Sequence, residues 1–211
     1  MKIKVCGMTD SANIRDVEAL GVEWMGFIFW PQSKRCCSVR PDYLPEHCKR
    51  VGVFVNAEVD DIVRHYLEYR LDAIQLHGDE DKMYVWKLRQ ALGALPDDQF
   101  RPYQLIKAVS LTSKADIAQK CEPLVGFVDL FLFDTPTAGR GGSGRTFDWS
   151  MLAAYNLMTP FLLSGGIGPE SVDAVRSFSH PCCEGIDLNS RFESAPGIKD
   201  ISKLREFIVQ L

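Results

Sequence analysis

Two side chains at the ends of strand-like segments have the chemistry of an acid and a base. Cys6 closes the segment 2–6, and Asp134 ends an apolar run over 126–134 that leads into a glycine-rich stretch at 139–144. In parallel α/β proteins the carboxyl ends of the strands meet at one mouth, where catalytic groups are held. The sequence therefore predicts that Cys6 and Asp134 face one pocket as base and acid.

Each of these roles requires a side-chain pKa that differs from its ordinary value. An ordinary thiol has a pKa of about 8.5, so a nearby cation or helix terminus would make a thiolate base available near neutrality. A carboxyl group, ordinarily near about 3.9, must be held partly protonated to act as a general acid, for example by burial among phenylalanines. A lone cysteine is more often a small buried hydrophobic residue, and that interpretation of Cys6 stays open.

The turn over 164–168 is the clearest binding signal. Gly165 and Gly166 are consecutive between a strand-like run and a helical pattern, so the backbone amides around them and Ile167 can approach an anion closely. Asn189 and Ser190 follow the eighth strand-like run, and the last two loops of a barrel commonly hold phosphate. The pattern predicts a phosphate site, although two glycines can also serve only to allow a tight turn.

Arg35, which follows the second strand-like run, is a candidate for binding a carboxylate, because a guanidinium meets a carboxylate through two parallel hydrogen bonds. A solvated surface arginine is the competing interpretation, since Lys34 beside it is equally basic. Asp187 lies in the eighth run and joins the predicted substrate-binding group. His77 and Lys107 also end runs, and we interpret them as a hydrogen-bonded structural histidine and an ordinary polar lysine. The other histidines lie at no metal-ligand spacing, so we expect no bound metal.

Short apolar runs alternate with amphipathic stretches along the whole chain, which indicates repeated βα units. The predicted strands are 2–6, 24–29, 50–56, 73–77, 104–109, 127–134, 161–165 and 185–189, and the predicted helices are 11–20, 41–48, 58–68, 80–92, 114–121, 148–155, 169–178 and 198–210. An open dinucleotide-binding sheet would carry Gly-x-Gly-x-x-Gly after its first strand, and the residues after Cys6 lack it. The pattern favours an α/β fold in which residues 1–211 form a single (β/α)8 TIM barrel.

Composition limits the classes of function. With 211 residues, 46% of them hydrophobic, the chain fits one domain, and its net charge of -4 gives no basic face for nucleic acid. No leader-like segment precedes the first strand and no apolar run reaches the roughly 18 residues that span a membrane, so we expect a cytoplasmic protein without membrane contact. Seven cysteines without a Cys-x-x-Cys pair indicate reduced thiols.

A series of motifs, in order along the chain, resembles one known family. They comprise residues 4–9, 26–29 with 33–35, 52–56, 75–78, 133–135 with 141–144 and 147–149, 163–167, and 186–190 through 196–200. Taken together they resemble the phosphoribosylanthranilate isomerases of tryptophan biosynthesis. The resemblance covers essentially the whole chain.

The resemblance implies a (β/α)8 barrel and an Amadori rearrangement of N-(5-phosphoribosyl)anthranilate without metal or organic cofactor. It implies that Cys6 is the general base, that Asp134 is the general acid and that Arg35 binds the anthranilate carboxylate. The amides around Gly166 and Ile167, with Asn189 and Ser190, would bind the phosphate. The expected partner is this small phosphorylated substrate, and the chain is expected to be a monomer or a homodimer. Three positions depart from the family pattern, namely Arg191, Ser143 and Asn189.

Other functions compete with this interpretation. A histidine-pathway phosphoribosyl isomerase performs the same rearrangement but typically uses two aspartates, which Cys6 argues against. Indole-glycerol-phosphate synthases have an extended N-terminal segment and lysine-centred chemistry that fit this chain poorly. A catalytically silent barrel that binds a phosphorylated metabolite is expected to lose one of the two catalytic side chains, and both are present here.

Overall fold

A computed structural model describes residues 1–134 and 149–211. Eight parallel strands close into a barrel in chain order, with β1 hydrogen-bonded to β8. The strands are β1 (Lys2–Cys6), β2 (Trp24–Ile28), β3 (Lys49–Phe54), β4 (Ala73–Leu76), β5 (Gln104–Ser110), β6 (Leu130–Asp134), β7 (Phe161–Leu163) and β8 (Cys183–Leu188). This arrangement confirms the predicted (β/α)8 fold.

Helices and short helical turns surround the barrel. The α-helices are α1 (Ser11–Glu18), α2 (Val59–Tyr69), α3 (Lys82–Gly93), α4 (Val172–Ser177) and α5 (Ile201–Val209), and a π-helical turn covers Ile117–Cys121. Short 3-10 turns lie at Glu122–Leu124, Trp149–Ala154, Pro169–Ser171 and Ser190–Phe192. Asp10, Asp81 and Asp200 cap α1, α3 and α5, each accepting a hydrogen bond from a backbone N–H of the first turn.

The alternation of side chains along each strand separates two cores. Between strands and helices lie residues such as Ile74 and Phe131, and inside the barrel lies an apolar cluster that includes Ala73, Leu130 and Leu132. Because successive side chains of a strand point to opposite faces, Asp134 shares the inward face of Leu130 and Leu132. The inner face of the barrel is therefore apolar at its base and polar at the mouth.

The predicted helix over 41–48 is wrong, since this segment has no helical turn. Pro45 has no N–H to donate within a helix. The carboxylate of Glu18 instead accepts the N–H groups of Glu46 and His47 at 2.7 and 2.6 Å, which satisfies the turn without a helix. The strand predicted over 127–134 begins only at Leu130, because the N–H groups of 127 and 128 turn back to the carbonyl of Leu124.

The helix predicted over 198–210 also begins later. Ile198–Lys199 form β10, which pairs with β9 (Glu193–Ala195) in an antiparallel hairpin, and α5 starts at Ile201. The predicted helix over 148–155 is a 3-10 turn in its described part. The glycine-rich stretch at 139–144 lies outside the described residues. All seven cysteines lie within the described part of the chain and are free, and no helix there is long and apolar enough to cross a bilayer.

Candidate active site

One cavity at the carboxyl ends of the strands gathers every side chain or backbone segment that the sequence predicted for the site. Its lining includes Cys6, Arg35, Asp134, Gly165, Gly166, Ile167, Asp187, Asn189 and Ser190. Trp30, Gln75, His77 and Arg191 also line it. Asn56 and Lys107, which lie in the third and fifth predicted strands, do not line this cavity. They instead hydrogen-bond to Glu80, through the backbone N–H of Asn56 and the ammonium of Lys107.

Cys6 lies almost fully buried at the top of β1, with a buried lysine on the same face of the strand. Cys6 pairs in register with Gly26 of β2, and a Cβ at Gly26 would stand 2.6 Å from the Cys6 sulfur, so only glycine leaves room for the thiol. Burial raises the pKa of the Cys6 thiol, and the charge of Lys4 partly offsets that effect. Cys6 therefore has the nearby cation that the sequence predicted, but burial outweighs the charge of Lys4, so the pKa of the thiol is not lowered toward neutrality.

Lys4 is held by a second buried charge. Its Nζ donates to Asp187 Oδ1 at 2.8 Å, and Ser164 Oγ donates to Asp187 Oδ2 at 3.2 Å. Burial opposes the charge on Lys4, yet Asp187 and Cys6 together raise the pKa of Lys4 above its ordinary value. Asp187 lines the cavity as predicted, and its two oxygens already serve to fix Lys4 and Ser164.

Asp134 stands at the end of β6 beside a histidine. His77 Nε2 lies 3.4 Å from Asp134 Oδ2, and the other ring nitrogen, Nδ1, lies 3.1 Å from Gln75 Nε2. If the Gln75 amide donates to Nδ1, the proton of neutral His77 resides on Nε2 and points toward Asp134. The Gln75 side chain is 1% exposed, and its Oε1 has no partner among the described residues. His77 therefore contacts the predicted acid. The interpretation of His77 as a structural histidine did not include this contact.

The turn after β7 has the backbone geometry of an anion cradle. Gly165 and Gly166 have φ of +82° and +74°, a conformation that other residues rarely adopt. Among the described residues, none accepts a hydrogen bond from the N–H groups of Gly166 and Ile167. The N–H of Gly168 is already used by Ser171 Oγ at 3.0 Å. The helix that follows, α4, is short, so the free amides rather than a long helix define this end of the cavity.

Arg191, one of the departures from the family pattern, also lies beside this turn. Its Nη2 donates to Glu170 Oε1 at 2.6 Å, and its Nε stands 3.0 Å from where a Cβ of Gly168 would be. The larger side chain is therefore accommodated at the rim, and it adds a positive charge near the amides of Gly166 and Ile167.

Arg35 reaches the cavity with its guanidinium already paired. Its Nε and Nη2 donate to the carboxylate of Glu193, at 2.8 Å to Oε1 and 2.7 Å to Oε2 respectively. Lys199 donates to Glu193 Oε1 at 2.7 Å and to Asn189 Oδ1 at 2.8 Å. Because the oxygen of Asn189 faces Lys199, its NH2 group is left to donate elsewhere. Neither Glu193 nor Lys199 lines the cavity.

A second cavity, of about 460 Å³, shares His77 and Asp134 with the first and extends over β4 and β5. Lys107 lies in its wall and donates to the carbonyl of Gly78 at 2.8 Å and to Glu80 at 3.1 Å. Lys107 was interpreted as an ordinary polar lysine, and it is instead buried and ion-paired with Glu80. Among the described residues, Asp134 thus lines both cavities.

Sequence reasoning did not identify Lys4, Gln75, Glu193 and Lys199. Lys4 and Gln75 could have been found, because they lie two residues before Cys6 and His77, which end predicted strands, and each must share the face of its strand with that residue. Glu193 and Lys199 had no such signal, since their contact depends on the hairpin of β9 and β10. Within the described residues no group of His, Cys, Asp and Glu side chains could hold a metal ion.

Comparison with known proteins agrees with this geometry. The family model for N-(5'phosphoribosyl)anthranilate (PRA) isomerase matches residues 3–210. An N-(5'-phosphoribosyl)anthranilate isomerase of Phocaeicola vulgatus is 48% identical over 212 residues, covering 100% of this chain and 98% of the relative. The crystal structure of phosphoribosyl anthranilate isomerase from Thermus thermophilus superposes with a TM-score of 0.79 at 27% identity, covering 100% of this chain and 98% of that one.

A further phosphoribosyl anthranilate isomerase, solved in complex with reduced 1-(o-carboxyphenylamino)-1-deoxyribulose 5-phosphate, has a TM-score of 0.76 and 29% identity, with 100% and 97% of the two chains covered. The matches extend over nearly the full length of each relative. The barrel, its polar mouth and these similarities lead to one conclusion: the chain belongs to the family of N-(5'-phosphoribosyl)anthranilate isomerases.

Proposed function

We propose that Cys6 and Asp134 are the general base and general acid with which this isomerase of tryptophan biosynthesis carries out its reaction. The reaction is the Amadori rearrangement of N-(5'-phosphoribosyl)anthranilate to 1-(2-carboxyphenylamino)-1-deoxyribulose 5-phosphate. The observation that carries the proposal is that the thiol and the carboxyl group, on β1 and β6, line the same cavity. In the barrel β7 and β8 lie between these strands, so a sugar placed in the cavity has one group on each side.

The proposed steps balance as two proton transfers on each side of an intermediate. Asp134 donates a proton to the ring oxygen of the ribose, the bond from C1' to that oxygen breaks, and the nitrogen lone pair forms an iminium ion. The Cys6 thiolate then removes the proton from C2', and the electron pair of that bond moves to give an enolamine. Tautomerisation, in which the 2'-hydroxyl loses its proton and C1' gains one, yields the ketone. Positioned acids and bases of this kind contribute about 10²–10⁴-fold each.

The two anionic groups of the substrate, its phosphate and its carboxylate, are proposed to bind to different parts of the cavity. The N–H groups of Gly166 and Ile167, with the side chains of Asn189 and Ser190, are proposed to bind the phosphate. Arg35 is proposed to bind the anthranilate carboxylate through two parallel hydrogen bonds. The analogue that a structural neighbour binds contains both a carboxyl group and a phosphate, which supports this division.

Steady-state kinetics of two variants test the acid–base assignment. In Cys6→Ser and Asp134→Asn, kcat should fall at least about 10²-fold while the affinity for the reduced product analogue is largely kept. Matched controls are Cys48→Ser, at the opposite end of the barrel, and Asp61→Asn, on the exposed face of α2, and both should turn over like the parent. Parental kcat in either Cys6→Ser or Asp134→Asn would contradict the assigned role.

The setting in which the enzyme works is part of the same proposal. We infer that it acts in the cytoplasm, because free cysteines fit a reducing compartment. We further infer that it is a monomer or a homodimer. Cell fractionation and sedimentation equilibrium measure these two properties directly.

A further inference from the structure

The site contains a buried ion pair that touches the cavity only through other residues. The side chain of Glu193 is 5% exposed and that of Lys199 is fully buried, with 2.7 Å between Glu193 Oε1 and Lys199 Nζ. Both residues come from the hairpin of β9 and β10, which follows β8. Two buried charges are costly to place inside a protein unless their geometry and remaining hydrogen bonds are good.

The hydrogen bonds of Glu193 are complete and converge on Arg35. Oε1 accepts from Arg35 Nε at 2.8 Å, from Lys199 at 2.7 Å and from the N–H of Gly197 at 3.1 Å. Oε2 accepts from Arg35 Nε at 2.9 Å and from Arg35 Nη2 at 2.7 Å. These contacts fix both the side chain of Glu193 and the plane of the guanidinium.

The pairing leaves one edge of Arg35 unused. Glu193 occupies the edge formed by Nε and Nη2, whereas none of the described residues accepts a hydrogen bond from Nη1. The edge formed by Nη1 and Nη2 is the other one that can bind a carboxylate through two parallel hydrogen bonds. Arg35 lines the cavity and Glu193 does not, so Glu193 lies behind the guanidinium.

Charge and position agree with an anion in front of Arg35. With Lys199 protonated, the three side chains carry two positive charges and one negative charge. Hydrogen bonds from Arg35 and Lys199 outweigh the effect of burial and hold the pKa of Glu193 below its usual value, so Glu193 is an anion at neutral pH. Arg35 Cδ and Asn189 Oδ1 lie 2.9 and 3.0 Å from where a Cβ of Gly7 would stand, so the Arg35 side chain packs against Gly7, the residue that follows Cys6.

We propose that Glu193 is a positioning residue that holds Arg35 with its free edge toward the carboxylate of the substrate, and that Lys199 in turn holds Glu193. The inference rests on the proposed function of Arg35 as the carboxylate ligand. It adds that recognition of the anthranilate carboxyl group depends on a residue that never touches the substrate. Immobilising a flexible arginine in advance reduces the entropic cost of binding.

Two ligands that differ by one carboxyl group test this role. One is reduced 1-(o-carboxyphenylamino)-1-deoxyribulose 5-phosphate, and the other is the same compound made with aniline, which lacks the carboxyl group. The selectivity ratio is the Kd of the second ligand divided by the Kd of the first, both measured by calorimetry. Because both ligands carry the sugar and the phosphate, a general loss of structure changes both Kd values and leaves the ratio in place.

Glu193→Asp keeps the charge but shortens the side chain, so the ratio should fall about 5–10-fold. Glu193→Gln removes a negative charge behind Arg35. If only charge mattered, the selectivity ratio would rise, whereas loss of positioning should lower it. This second variant also carries the test if Glu193→Asp does not fold. The matched control is Glu68→Asp, in an exposed pair with Arg64 on α2, and its ratio should equal that of the parent.

Arg35→Met separates failure of this inference from failure of the proposed function. A ratio near one in Arg35→Met, with reduced ratios in the Glu193 variants, supports both. A ratio near one in Arg35→Met with parental ratios in the Glu193 variants overturns the positioning role alone. A parental ratio in Arg35→Met overturns Arg35 as the carboxylate ligand and the inference with it.

Discussion

The glycine opposite the Cys6 thiol offers a sharp test of how tightly the proposed base is positioned. In Gly26→Ala the new Cβ would stand 2.6 Å from the Cys6 sulfur, 3.1 Å from its Cα and 3.2 Å from its Cβ. Ordinary contacts between such atoms are about 3.5–4.0 Å, so the sulfur must move by about 1 Å. Since Cα and Cβ are crowded as well, rotation of the thiol alone cannot relieve the overlap.

A displacement of about 1 Å at a reacting group can lower the rate about 10²-fold. We therefore expect kcat of Gly26→Ala to fall about 10²-fold. Overpacking of a closed barrel should also lower the free energy of unfolding by about 1–3 kcal/mol, which urea denaturation measures. The fluorescence change that accompanies conversion of freshly generated substrate gives kcat, and calorimetry with the reduced product analogue gives the affinity of the folded site.

The matched control is Gly93→Ala at the end of α3, where a Cβ would meet nothing within 4 Å. Alanine favours a helix over glycine, so this variant should keep parental kcat and unfold at an equal or higher urea concentration. If Gly26→Ala is folded, binds the analogue and turns over like the parent, the thiol does not require the position that β2 leaves for it.

Two further substitutions probe the charge next to the thiol and the anion cradle. Lys4→Met should raise the pKa of Cys6 further, because the thiolate loses its neighbouring cation. Iodoacetamide should therefore alkylate Cys6 more slowly at every pH below that pKa. The rise of kcat/KM with pH should also move to higher pH. An unchanged alkylation rate would show that the charge of Lys4 does not lower the pKa of Cys6. Gly166→Ala, at φ +74°, should cost about 1–2 kcal/mol of backbone strain and turn the amides away, so KM and the inhibition constant of inorganic phosphate should rise about 10-fold. A parental inhibition constant for phosphate would place the anion elsewhere.

Much of the fold could be predicted because strand periodicity is a local property. The residues of β1 were predicted with the observed bounds, and once eight strands were assumed to close, Cys6 and Asp134 had to meet at one mouth. The helix expected over 41–48 failed for a reason that local pattern cannot reveal. Glu18, on a distant helix turn, supplies the acceptor for that segment's N–H groups.

The supporting residues of the site were harder to predict than the residues that line it. Polar side chains at strand ends are visible in the sequence, but a pair such as Glu193 and Lys199 depends on the hairpin in which they are held. Arg35 is 158 positions away from Glu193 in the chain, so no spacing rule relates them. Tertiary contacts of this kind decide how a predicted ligand is oriented.

The central claim, that Cys6 removes the C2' proton and Asp134 protonates the ring oxygen, is tested most directly by a substrate carrying deuterium at C2'. The kinetic isotope effect on kcat reports whether proton removal limits the rate. In Cys6→Ser, proton removal becomes slow, so the isotope effect should increase above that of the parent. In Asp134→Asn, ring opening becomes slow, so the effect should fall toward unity. An isotope effect that falls in Cys6→Ser, or increases in Asp134→Asn, would contradict the assignment of the base and the acid.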